Sequence, residues 1–239
     1  MDTLTSMRAF VHVAELGSFS GAARRLEMSP AMVTKHIAHL EAPLLQANPE
    51  LAIQFDFTNR VVDLTEEGVD IAVRVAAQLD SGLAGRRIAS ARLLPVASPA
   101  YLARHGRPGQ PQDLRAHPAL VFGIGDWTRW PHWRDGQAGS VETRPRLRSS
   151  SSEALRHAAL QGAGVSLLPT FLIGDALREG SLVPLLEGWD FGRLGIHVLY
   201  PQRRFRPLRV RVFVDALLAH FGSDPDGDPF WPGADIASG

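Results

Sequence analysis

The chain has 239 residues, 45% of them hydrophobic, enough to fill one large core or two to three small ones. It contains no cysteine, which excludes disulfides, thiolate chemistry and the Cys-containing structural zinc sites. Its 25 basic and 25 acidic residues leave a formal net charge of zero, so any contact with nucleic acid has to be built locally. No run of about 18 apolar residues could span a bilayer, and "MDTLTSMRAF" lacks the charged-then-apolar order of a secretion signal, so a cytoplasmic location is expected.

Residues 3–15 place Leu4, Met7, Phe10, Val11 and Ala14 on one face at helical spacing, with Gly17 as a stop, and predict a first helix. In "SFSGAARRLEM", Ser18 or Ser20 is the N-cap of a second helix whose Ala22, Ala23 and Leu26 turn inward. Ser29 then caps a third helix, with Pro30 at its first position and Val33, Ile37 and Leu40 repeating at four and three. Small alanines that admit a close neighbour, and the tight turn at Met28 and Ser29, predict a helix-turn-helix over residues 1–42. Pro43 disfavours helix at Ala42. The third helix is therefore expected to end there, leaving residues 43–50 as a tether reaching about 26–29 Å.

Beyond the tether, Leu51, Ile53, Phe55 and Phe57 alternate as in a half-buried strand. "NRVVDLTEEG" reads as a helix, and "DIAVRV" and "RLLPVASP" as strands. Ser98 caps a helix with Pro99 in its first turn, and the strand "ALVFG" follows. "HWRDGQAGSVETRPRL" reads as a hairpin turning at Asp135 and Gly136, which Trp127, Trp130 and Trp133 are expected to anchor rather than to form a stacking platform. "SSEALRHAALQGAG" is a capped helix feeding the buried strand "VSLLP", and the strand "IHVLYP" precedes the helix "LRVRVFVDALLAHF". The arginines of "QRRFRPLRVRVF" alternate with apolar residues, the pattern of a strand-to-helix element rather than a nucleic-acid patch. Strands alternating with helices define an α/β part behind an all-α N-terminal part. Residues 223–239 have no period and are rich in Gly, Pro and Asp, so they are expected to be disordered.

No catalytic constellation emerges. "GAGVSLLP" lacks the second glycine of a nucleophile elbow, and neither H-E-x-x-H nor a P-loop occurs. "DPDGDP" has an early proline and no glutamate to close a calcium loop, and His36 with His39 lacks a third metal ligand. Neither an enzymatic activity nor a cofactor is expected.

The stretch "FVHVAELGSFSGAARRLEMSPAMVTKHIAHLE" resembles the N-terminal signature of the LysR-type transcriptional regulators. The resemblance resumes at "PELAIQFDFTNRVVDLTEEGVDIAVRV" and continues through "SSSEALRHAALQGAGVSLLP" and "GRLGIHVLYPQRRFRPLRVRVFVDALLAHF", covering nearly the whole chain. It implies a helix-turn-helix unit followed by a periplasmic-binding-protein-like effector domain over 51–222. Of its two α/β subdomains, the first comprises 51–97 and 198–222 and the second 98–197. Members carry a basic wing, a dimerising linker helix and the first effector-domain strand and helix after the "HLEA" segment. Here these are absent, so the first subdomain is incomplete and the junction of Ala42 and Pro43 reads as an internal deletion. The family is homo-oligomeric, but the helix that dimerises it is missing.

The implied function is a regulator that reads a half-site of double-stranded DNA and senses a small anionic effector, impaired by the deletion. The alternative is a small-molecule binding module with little useful DNA binding. In such a unit the helix beginning at Ser29 and Pro30 enters the major groove, so Ala31, Met32, Thr34, Lys35, His36 and His39 form its expected outward face. Thr34 can bond a base edge, Ala31 or Met32 can touch a thymine methyl, and Lys35 can reach guanine or phosphate. Ser18 and Ser20, with the start of the second helix, are candidate phosphate contacts. By the same resemblance Ser151 and Ser152 open a helix aimed at the effector cleft, with Phe122 and Pro169 as walls.

Overall fold

Helix-forming sequence dominates the first 47 residues and strand-forming sequence the middle of the chain. The computed structural model describes residues 3–16, 18–48, 50, 63–77, 79, 84–123, 126–201, 208–221 and 224–231. The chain divides into two units, Met1–Ser90 with Leu194–Pro229, and Ala91–Arg193 with Phe230–Gly239.

In the first unit, α1 (Thr3–Leu16), α2 (Phe19–Arg25) and α3 (Pro30–Ala47) pack pairwise. Ala9, Phe10, Val13, Ala22, Ala23, Val33 and Ile37 are buried between them. The alanines of α2 admit the neighbouring helices because a methyl group is all that stands in the way. Met28 N donates to Ala23 O at 2.9 Å, and Glu27 takes the left-handed conformation, φ 53°, to make the turn into α3.

Two expectations fail here. The third helix does not stop at Ala42 but continues through Pro43 to Ala47, which removes most of the predicted tether. A proline inside a helix costs about 3 kcal/mol through its missing N–H and ring clash. Helix α3 as a whole packs on α1 and on α7 (Leu208–Phe221). The helix expected at "NRVVDLTEEG" is, in its described part, a single turn. Asp63 Oδ1 accepts from Thr65 N at 2.8 Å and Glu66 N at 3.0 Å, and Gly68, φ 67°, closes it within one revolution. The strand expected at residues 51–57 lies outside the described residues.

Strand β1 (Ala72–Ala76) pairs antiparallel with β9 (Arg193–Tyr200), in register from Ala72 opposite Leu199 to Ala76 opposite Gly195. The long β2 (Ala84–Ala97) starts in this unit and continues into the second. At Gly85 an added Cβ would lie 2.5 Å from Leu199 Cδ2, so a larger residue there would push the Leu199 side chain aside. Val210, Val214 and Leu217 bury one stripe of α7 at spacings of four and three.

In the second unit, α4 (Pro99–His105) starts at the Ser98 cap, and a 3₁₀ turn (Pro111–Ala116) leads into β3 (Pro118–Phe122). Strand β3 runs parallel to both β6 (Arg144–Ser149) and β7 (Val165–Pro169). The later half of β2 pairs antiparallel with β7 and with the short β8 (Val183–Pro184). Helix α5 (Ser152–Leu160) joins β6 to β7, and α6 (Thr170–Arg178) follows β7 directly. The hairpin of β4 (Arg129–Arg134) and β5 (Gln137–Glu142) turns at Asp135 and Gly136, φ 50° and 76°, the pair of positive values a two-residue type I′ turn requires. It ends sooner than expected, because the buried Thr143 donates both N–H and hydroxyl to Thr128 O, at 2.8 and 2.7 Å, and releases β6 to join β3. Tyr101, Leu114, Val121, Trp130, Val165, Leu185 and Phe191 form the core of this unit.

The expectation of a disordered tail is also corrected for residues 224–231. Ser90 donates N–H to Gly227 O and hydroxyl to Pro225 O, each at 3.0 Å, and Arg87 pairs with Asp226. In the second unit Phe230 is buried edge-on to Phe171, and Arg92 lies over the Trp231 ring at 5.3 Å. Two aromatic residues in a short Gly/Pro-rich stretch supply apolar area that composition averages conceal.

Candidate functional site

The helix-turn-helix is held by local caps. Ser18 Oγ accepts from Gly21 N at 3.1 Å, and Ser29 Oγ accepts from Met32 N at 3.2 Å. Each hydroxyl keeps its hydrogen for an external acceptor. Ser20, Ser29, Pro30, Ala31, Met32, Thr34 and Lys35 are all exposed, Met32 to 40%. The Thr34 hydroxyl donates back to Pro30 O at 2.9 Å, so it meets a ligand first as an acceptor.

His36 does not belong to this face. It is 5% exposed and turned toward α1, where its Nδ1 lies 3.0 Å from Ser6 Oγ. The expected reading surface thus loses His36, and His39, half-buried, shares the same serine at 3.2 Å. Arg25 is buried as well, so of the basic residues of α2 only Arg24 is open to solvent.

In the second unit, three parallel strands end at one edge of the sheet. Phe122 ends β3, Ser149 ends β6 and Pro169 ends β7. Gly123 N donates to Ser149 O at 2.8 Å, and a Cβ on Gly123 would press within 3.2 Å of Ser149 backbone. Ser149 Oγ accepts from Ser151 N at 3.1 Å, and Ser151 Oγ caps α5 by accepting from Ala154 N at 3.3 Å. Ser152 occupies the first position of α5 and is half-buried. Phe122 packs edge-on to Trp127, with ring centroids 6.5 Å apart. The buried Pro169 precedes α6, whose first residue, Thr170, is also buried. Phe122, Ser151, Ser152 and Pro169 are thus carried to one sheet edge by the ends of β3, β6 and β7.

The electrostatics of that edge were not evident beforehand. Hydrogen bonds from the Thr128 hydroxyl and N–H hold the Asp126 carboxyl below the ordinary range, and the positive charges of Arg129 and Arg148 add to this. Both arginines are exposed. Their role was invisible in sequence because surface arginines look alike until the fold places them. Among the described residues no group of three or more His, Asp or Glu side chains is arranged to hold a metal ion.

The chain thus joins a three-helix unit with an exposed capped helix to parallel strands ending at a common edge. The family description "LysR substrate binding domain" matches residues 23–222. The HTH-type transcriptional regulator PtxR of Pseudomonas aeruginosa is 34% identical over 206 residues, covering 84% of this chain and 65% of that protein. CrgA of Neisseria meningitidis serogroup C is 31% identical over 202 residues, covering 84% and 67%. The solved regulatory domain of CrgA superposes with a TM-score of 0.64 at 33% identity, over 80% of this chain and 94% of that one. Full-length AphB of Vibrio cholerae shares the fold, with a TM-score of 0.63 at 21% identity over 93% and 100%. The chain belongs to the LysR family. It spans about two thirds of the length of PtxR and CrgA. Both are named as transcriptional regulators, not enzymes, in keeping with the missing catalytic constellation.

Proposed function

We propose that the chain is a LysR-type regulator that reads a half-site of double-stranded DNA with α3 and senses a small anionic molecule in its second unit. The DNA half rests on the exposed Ala31, Met32, Thr34 and Lys35, which begin α3 where a reading helix meets base edges. The free hydroxyl hydrogens of Ser18 and Ser20 suit phosphate oxygens. The effector half rests on Phe122, Ser151, Ser152 and Pro169 at the carboxyl ends of parallel strands, where open α/β sheets bind ligands, with Arg129 and Arg148 supplying positive charge. A cytoplasmic location is part of this reading, and no described helix is long and apolar enough to cross a membrane.

DNA binding is weak on this reading. Residues 1–42 set Arg8, Arg24, Arg25 and Lys35 against Asp2, Glu15, Glu27 and Glu41, four against four, and Arg25 is buried. We place the missing wing and linker helix at the Ala42–Pro43 junction, which α3 now crosses. Two linked half-site readers would gain about 10²–10⁴ in affinity through effective concentration alone, and that gain is absent. In mobility-shift titrations between 50 and 200 mM salt, binding should be micromolar or weaker, with the shallow salt slope that few phosphate contacts give. Nanomolar, salt-resistant occupation of two half-sites would sink the reading.

The neutral helix-turn-helix favours a second reading, a binding module that has lost useful DNA affinity. Small organic acids that raise the melting temperature, in a protein that shifts no duplex even at low salt, would select it. Neutral analogues that stabilise equally well would remove the anion preference from either reading.

A further inference from the structure

A buried hydroxyl ties the first helix to the reading helix at two points. Ser6 of α1 is fully buried, with Oγ 3.0 Å from His36 Nδ1 and 3.2 Å from His39 Nδ1. A serine hydroxyl carries one hydrogen, so the two imidazole nitrogens cannot both be acceptors. At least one histidine must present Nδ1–H to Ser6, against the preference of a free neutral imidazole for hydrogen on Nε2. His36 and His39 stand one turn apart on α3, so a single oxygen fixes both the roll of that helix and its height against α1. A slip of one residue would roll α3 by about 100° and carry Lys35 out of the exposed face.

We propose that Ser6 is a positioning residue for DNA reading: its shared hydroxyl sets the roll of α3 and so decides which of Ala31, Met32, Thr34 and Lys35 meets a base edge. This rests on the reading of α3 as the helix that enters the groove. Ser6 touches no DNA itself, and the sequence pattern of a helix-turn-helix gives it no role, because its partners lie 30 and 33 residues away.

The full chain, Ser6→Ala and Ser6→Thr are each checked for folding by thermal melting, then taken through selection from duplexes with a randomised core. At pH 8, long-range nitrogen–proton correlation spectra read the tautomers of His36 and His39. The wild-type chain and Ser6→Thr, which keeps the hydroxyl, should show at least one Nδ1–H histidine and enrich the same motif. Ser6→Ala should lose the Nδ1–H signal of the histidine that donates to Ser6, and its preference for the selected over a random duplex should fall about tenfold with the salt slope unchanged. Two Nε2–H histidines in the wild-type chain overturn the bridge. An unchanged motif and preference in Ser6→Ala overturn the positioning role alone. A wild-type chain that enriches no motif removes the DNA reading and this role with it, and an intact Nδ1–H signal then separates that failure from a failure of the bridge.

Discussion

The phenol oxygen of Tyr101 lies 2.8 Å from Nδ1 of His117, and both side chains are buried in the second unit. Burial, reinforced by the nearby His105, holds the His117 pKa below its ordinary value, with Asp113 opposing. A folded-state pKa below the unfolded one means that the unfolded chain binds more protons. Stability is therefore full above about pH 6.5 and is lost as pH falls below it. Tyr101→Phe removes the hydroxyl and leaves that buried nitrogen without its partner, at a cost of about 1–3 kcal/mol. Denaturant titrations at pH 8 and pH 5 should show that loss, and a wild-type midpoint independent of pH would contradict the account.

His132 makes a different case. It is buried under Trp189 and Phe191, with ring centroids 5.0 and 6.2 Å away, and neither of its ring nitrogens has a hydrogen-bond partner. Burial alone lowers its pKa, so it too weakens the fold as pH falls through the ordinary histidine range. Arg134, over the Trp189 ring at 5.3 Å, adds a positive charge nearby. Replacing an unsatisfied buried polar ring by an apolar one of similar shape should be neutral or stabilising by about 1 kcal/mol at pH 8. His132→Phe should also flatten the melting temperature between pH 7 and pH 5. A clear loss of stability at pH 8 would show that the imidazole does make a bond.

Glu27 carries the turn of the helix-turn-helix at φ 53° without glycine's freedom. The left-handed conformation costs an ordinary L-residue roughly 1–2 kcal/mol, whereas glycine loses roughly 0.4–1 kcal/mol more backbone entropy on folding. Glu27→Gly should therefore stabilise the first unit by about 0.5–1 kcal/mol. It also removes one negative charge from a neutral DNA-binding unit, so its nonspecific duplex affinity at low salt should rise. Chemical denaturation and the mobility shift measure the two effects separately.

What could be read beforehand divides by range. The caps Ser29 and Ser98 were legible, and Ser18 and Ser151 each as one of two candidate serines, because a side-chain oxygen meets an N–H only three residues on. The turn at Asp135 and Gly136 is equally local. The burial of His36 was legible in the period, since 33, 36, 37 and 40 stand at i, i+3, i+4 and i+7 on one face; its polar side chain hid it, and the partner that satisfies it, Ser6, lies in another helix. Continuation of α3 through Pro43 to Ala47 runs against a sound local rule, that the residue before proline avoids helix. Helix α6 escaped notice because Phe171, Leu172, Ile173, Gly174, Ala176 and Leu177 are buried nearly all round, leaving no polar stripe to set the period. The strand-end residues Phe122, Ser151, Ser152 and Pro169 came from family resemblance, and the charge that Arg129 and Arg148 bring to Asp126 required the fold.

The tail offers the sharpest contrast between composition and structure. A disordered segment would tolerate substitution freely, yet Phe230 is 3% exposed and meets Phe171 edge-on at 6.0 Å. Its carbonyl also lies 3.2 Å from where a Cβ on Gly174 would sit, so α6 and the tail approach at backbone distance. Truncating a buried phenylalanine removes its transfer free energy and leaves a cavity, typically about 3–5 kcal/mol, and partial collapse of the site recovers part of that. Phe230→Ala should therefore cost about 2–4 kcal/mol in the second unit. Hydrogen exchange at α6 amides reads the change locally: faster exchange at residues 174–178 in Phe230→Ala is expected. Exchange and stability unchanged from the parent chain would return the tail to the disordered class that its composition implied.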